Sequence, residues 1–123
     1  MSRINTDDIE AIESVYEFLL AYAAQGRPPH KEENSQPPHA GPELDRMIAA
    51  MNSLHQALKG SDDPFEQVIT SDLEKAGAAA RFARGQSHMS SELVDNLNAS
   101  IHLRAVLTDL FLYSEQFRPV EAS

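Results

Sequence analysis

The apolar positions fall into four stretches with helical spacing. In the first, Ile9, Ile12, Val15, Tyr16, Leu19, Tyr22 and Ala23 recur every three or four residues, the period of one face of an α-helix. Asn5 or Thr6 stands where a cap belongs, and Asp7 and Asp8 suit the positive end of the helix dipole. Gly26, Pro28 and Pro29 then stop the helix. The pattern predicts a helix over residues 6–25. The second stretch is Leu44, Met47, Met51, Leu54 and Leu58, with Ile48 beside it. Its alternating steps of three and four make a seam for nearly antiparallel packing on another helix. Pro42 reads as the first helical residue. Gly60 to Pro64 ends this helix and opens the next, with Asp63 as cap.

Phe65, Val68, Ile69, Leu73, Ala76, Ala80 and Ala83 carry the third stretch. Ser71-Asp72-Leu73-Glu74 inside it is a capping-box sequence, so a break near Thr70 competes with one continuous helix. The small residues Ala76 to Ala80 predict a close approach to a neighbour. The fourth stretch predicts a helix over about 90–117. Here Leu93, Leu97 and Ile101 share one face, and Leu103, Val106, Leu107, Leu110, Tyr113 and Phe117 share another. At about 100° per residue the two faces are centred more than roughly 90° apart. A straight helix cannot bury both against one neighbour. It bends, or its halves meet different neighbours, one of which can be a second protomer. In that reading Leu107, Leu110, Phe111, Tyr113 and Phe117 form a homodimer interface.

No alternating run competes as a strand. The expected fold is all-α: a four-helix bundle-like single domain over residues 1–123. A long Pro-rich loop, 26–41, joins helices 1 and 2, and residues 119–123 form a disordered tail. Prolines 28, 29, 37 and 38 favour an extended, mobile loop, and a connection this long is either functional or disordered.

Charge narrows the partners. Nineteen acidic against ten basic residues give a net charge of −9. That argues against direct binding of a nucleic-acid backbone, which needs Lys and Arg to displace counterions. It favours a basic partner. Within the first helix Glu10, Glu13 and Glu17 follow steps of three and four, joined by Asp7 and Asp8, with no Lys or Arg. Like charges at this spacing slightly destabilise a helix. These five acids are the expected contact with the basic surface of another protein, one that itself binds nucleic acid, and they would steer its association. The chain has no Cys, which excludes disulfides, thiolate nucleophiles and cysteine-ligated metals. Neither a signal-peptide pattern nor an apolar run of membrane-spanning length is present, so a cytoplasmic protein without a membrane contact is expected.

Catalytic signatures are missing. The repeated Pro-Pro-His at 28–30 and 37–39, with Glu32 and Glu33, offers two histidines in a flexible loop. Zinc needs three or four ligands held by outer-shell partners, so the segment reads as a linker or partner-contact loop, and no metal or cofactor is expected. There is no Glu-x-x-His pair for a di-iron bundle. His102 and His88 read as surface residues. In "LHQALKGS", Lys59 and Gly60 follow His55 by four and five residues. Histidine phosphotransfer domains, which are helical bundles of similar size, place them three and four after the histidine. The extra residue turns Lys59 away by about 100°, so His55 reads as a residue flanking the Met51/Leu58 seam. Nucleophile-elbow and phosphate-loop patterns are absent. The expected function is therefore a small acidic helical interaction module: an adaptor, regulator or inhibitor of a partner protein. The alternative is a histidine-using enzyme or a ligand- or metal-binding bundle.

Overall fold

The computed structural model describes residues 4–31 and 35–117. Among them are five α-helices: α1 Thr6–Ala23, α2 Ala40–Leu58, α3 Pro64–Arg84, α4 Ser91–Asn98 and α5 Ile101–Ser114, followed by a 3-10 turn at Glu115–Phe117. The domain is all-α, with one helix more than the apolar pattern predicts. The expected disordered tail at 119–123 lies outside the described residues.

The first three helices follow their sequence signals. Asn5 Oδ1 accepts from the Asp7 N–H at 2.9 Å and caps α1, satisfying one of the donors that a helix start leaves open. Gly26 leaves the helix with φ +67°, a conformation that side chains with a Cβ disfavour. All five seam residues of α2 are buried. This helix starts two residues before Pro42, at Ala40, with His39 in extended conformation ahead of it. Asp63 Oδ1 accepts from the N–H groups of Phe65 (2.9 Å) and Glu66 (2.9 Å), and Pro64 opens α3.

α3 runs through Thr70 without a break. The Thr70 hydroxyl donates to the Glu66 carbonyl at 2.8 Å, inside the helix. The stripe Ile69, Leu73, Ala76, Ala80 stays buried across the capping-box sequence, and that packing outweighs the local signal for a new start. Ala76, Gly77 and Ala80 are buried, as their size suggests. A Cβ on Gly77 would meet the Arg81 guanidinium, one turn along the same helix, at 3.1 Å.

The expected helix 90–117 is two helices. Ser90 caps α4 through the Leu93 N–H (3.0 Å). Ser100 leaves the helical conformation (φ −58°, ψ 127°) and caps α5 through the His102 N–H (3.2 Å). The break falls where the apolar stripe changes face. α4 then packs on α1 and α5 on α3: the second group is buried from Leu103 to Leu110, whereas of the first group Leu97 is buried, Leu93 half-buried and Ile101 exposed. α2 lies against both α1 and α3. Ile12, Leu19, Leu44, Met47, Leu54, Ile69, Leu103 and Leu110 fill the shared core, each worth about 1.5–3 kcal/mol relative to exposure.

The described part of the connection between α1 and α2 is not the free loop expected for it. It is tied to the connection between α3 and α4. The Met89 N–H donates to the His30 carbonyl (2.7 Å) and the Ser91 N–H to the Arg27 carbonyl (3.0 Å). Ser91 Oγ accepts from the Arg27 N–H at 2.6 Å and donates to the Tyr22 carbonyl at 3.1 Å. The Arg27 guanidinium lies 4.5 Å above the Tyr22 ring. Backbone groups left open by the prolines thus find partners on a second connection, which periodicity cannot show.

Candidate interaction surface

The acids singled out in the sequence divide between two environments. Asp7, Glu10 and Glu17 are exposed, and Asp8 and Glu13 are half-buried. α1 turns Ile9, Ile12, Val15, Leu19 and Tyr22 inward, which leaves Glu10 and Glu17, two turns apart, on the outward face. Across the interface from α1, α4 turns Ser91, Val94, Leu97 and Asn98 inward. Its two charged residues, Glu92 and Asp95, are both acidic and both exposed. Two helices in contact therefore present acids outward.

On its other side α4 meets α3, and the two do not close fully. An open groove of about 360 Å³ lies between them, lined by Ala79, Phe82, Ala83, Leu93, Asn96 and Leu97. Phe82 stands 69% exposed at this groove. Small residues on α3 make the groove: Ala79 and Ala83 flank Phe82 where larger side chains would fill it. Its walls are mostly apolar, with Asn96 and Ser100 as the polar residues, so it can take an apolar side chain.

The proposed dimer residues are mostly committed to the chain's own core. Leu107 and Leu110 are buried. Tyr113 donates its hydroxyl to Glu66 Oε2 at 2.7 Å and lies between the rings of Phe65 (tilted) and Phe117 (edge-on), with centroids 6.5 and 5.6 Å away. Phe117 is half-buried. Of the five, Phe111 alone is exposed, at 58%. Leu107 and Leu110 share the face with Leu103 and Val106 that the spacing predicts, and with α5 starting at Ile101 that face packs on α3.

The histidines do not converge. His30 Nε2 lies 3.3 Å from the Tyr22 hydroxyl, His39 Nε2 3.3 Å from the Ser35 carbonyl, and His88 Nδ1 3.2 Å from Ser87 Oγ. His102 is exposed. His55 Nε2 sits 3.0 Å from Glu74 Oε2, in a cleft of about 160 Å³ between α2 and α3 that Asn52 and Arg81 also line. The sequence does not bring Glu74 and Arg81 to His55, because the pairing of α2 with α3 decides it. Among the described residues, no three His, Asp or Glu side chains are grouped to hold a metal, and no helix is long and apolar enough to cross a membrane.

One buried acid escaped the sequence reading. Asp109, on the inner side of α5, has its carboxyl pushed up from 3.8 to about 7, first by burial and then by the hydrogen bond and negative charge of Asp72. Its Oδ2 has no hydrogen-bond partner. Its place among Val106, Leu107 and Leu110 on the core face was the available signal. No family model matches the chain, and no curated protein or solved structure matches it.

Proposed function

We propose that the protein is a binding module that docks on a partner protein with a basic surface and acts as its adaptor, regulator or inhibitor. The observation that carries this reading is the α3–α4 groove. It is open and mostly apolar, with Phe82 exposed at it, and one of its walls is a helix whose charged residues are both exposed acids. An exposed apolar site rimmed by charge is the composition of an interface rather than of an ordinary surface. Its complement is a segment that places an apolar side chain in the groove and Lys or Arg over Glu92 and Asp95. Glu10 and Glu17 on α1 extend the same sign of charge and would raise the association rate more than the affinity. A protein that itself binds nucleic acid carries a surface of that kind.

The test compares tagged wild-type protein with Phe82→Ser and with Glu10→Lys/Glu17→Lys as baits in a nuclease-treated lysate at low and high salt. All the substituted residues are exposed, so the variants keep their helical circular dichroism. The expected result is one stoichiometric protein held by the wild type at low salt, released at high salt, lost from Phe82→Ser and reduced by the double reversal. Capture that is the same for all three baits contradicts the reading.

A further inference from the structure

The outer face of α5 differs from the other helix surfaces. Ile101, Ala105, Thr108 and Leu112 follow steps of four, three and four, so they form one stripe along the helix. They lie opposite the buried Leu103, Val106 and Leu110. Ile101 is 74% and Leu112 62% exposed, and Phe111 flanks the stripe. The helix is thus apolar on both sides, the composition of a helix covered on both sides. Single exposed apolar residues need no explanation, but several on one short face do.

We infer that this face is covered by α5 of a second copy of the chain, running antiparallel about a twofold axis near residues 106–107. Charge selects this occupant. Two copies at −9 each repel, so they can meet only where acids are absent. Between Ile101 and Ser114 the one acid is Asp109, which is buried, and the outer face carries Arg104 as its charge. A basic partner has no attraction to such a face and is drawn instead to α1 and α4. The residue order is also self-complementary, as a twofold interface requires. In the antiparallel register Ile101 meets Leu112 of the second copy, and Ala105 meets Thr108, a small residue against a small one. Arg104 comes over the ring of Phe111 of the second copy, where a guanidinium is attracted to the aromatic face. The stripe spans about 16 Å at 1.5 Å per residue and buries on the order of 500 Å² per copy, less than the roughly 800 Å² of a standard interface. The dimer is therefore reversible and concentration-dependent.

The test is sedimentation equilibrium of the whole chain from about 1 to 300 μM, at low and high salt. The expected mass rises from 13.6 kDa towards twice that value with concentration. It rises further at high salt, because screening removes the repulsion between acidic copies. This is opposite in sign to the salt response of a basic partner, so the two proposals fail separately. Leu112→Glu, a change at an exposed position, is expected to hold the mass at the monomer value with unchanged circular dichroism. Since the chain has no Cys, Ile101→Cys and Leu112→Cys chains can be mixed and oxidised. Mixed disulfides support the antiparallel arrangement. A monomer mass throughout, a dimer indifferent to Leu112→Glu, or homodisulfides alone would overturn the inference.

Discussion

Asp109→Asn tests how far a buried acid governs the stability of this domain. Asp109 is 8% exposed and faces Asp72 across the α3–α5 contact. Its carboxyl is raised from 3.8 to about 7, so the folded chain holds this proton more tightly than the unfolded chain does. The stabilisation is complete below about pH 3.8 and is lost as pH rises through about 7. Each pH unit of displacement corresponds to about 1.4 kcal/mol, so the whole displacement sets a ceiling of about 4 kcal/mol. Residual exposure and water reaching the pair reduce this to about 1–2 kcal/mol. Asparagine cannot ionise, and its amide can donate to the Asp72 carboxylate. Below about pH 3.8, where Asp109 is protonated in the folded and the unfolded chain alike, urea unfolding should give wild type and variant the same stability within about 0.5 kcal/mol. At pH 8 the variant should be more stable by about 1–2 kcal/mol, with a Tm higher by roughly 4–8 °C. A difference that does not change with pH, or a variant less stable at pH 8, refutes the reasoning.

Two further substitutions probe how the connections and caps hold the bundle. Ser91→Ala leaves the Arg27 N–H and the Tyr22 carbonyl without the hydroxyl they share. It should cost about 1–3 kcal/mol in denaturant unfolding and speed exchange of the Arg27 amide; unchanged exchange would mean that Ser91 does not tie the two connections. Asp63→Ala removes the carboxylate oxygen that takes two N–H groups at the start of α3. A loss of about 1 kcal/mol is expected, while Asp63→Asn should lose much less; equal losses would point away from capping.

Local signals in the sequence decided most of the helices. Asn5, Gly26, Asp63 and Pro64 act where the chain order places them, and the seam from Leu44 to Leu58 is buried along its length. The errors arise where local signals compete or where packing decides. Ser71 and Ser100 are both serines with a plausible capping role. Ser100 caps because the apolar stripe changes face beside it, and Ser71 does not because the stripe runs on from Ile69 to Ala76. The shift of the stripe after Ile101 predicts a bend or different neighbours for the two halves, but it does not say that the second neighbour is α3 of the same chain. Asp72 meeting Asp109, Glu74 meeting His55 and the groove beside Phe82 all depend on which helices pair and in what register. A single sequence holds no direct record of that. Glu10 and Glu17 were legible because both lie on one helix and need only its period.

On the reading proposed above, acidic side chains on the surface steer a basic partner to this domain. The most direct test of that reading is the association rate of the captured partner with wild type and with Glu10→Lys/Glu17→Lys, measured by stopped-flow fluorescence across a range of ionic strength. The expected wild-type rate falls steeply as salt increases. The variant should bind more slowly at low salt, with a flatter dependence, and the two should converge at high salt. Equal rates and equal salt dependence for the two proteins would contradict it.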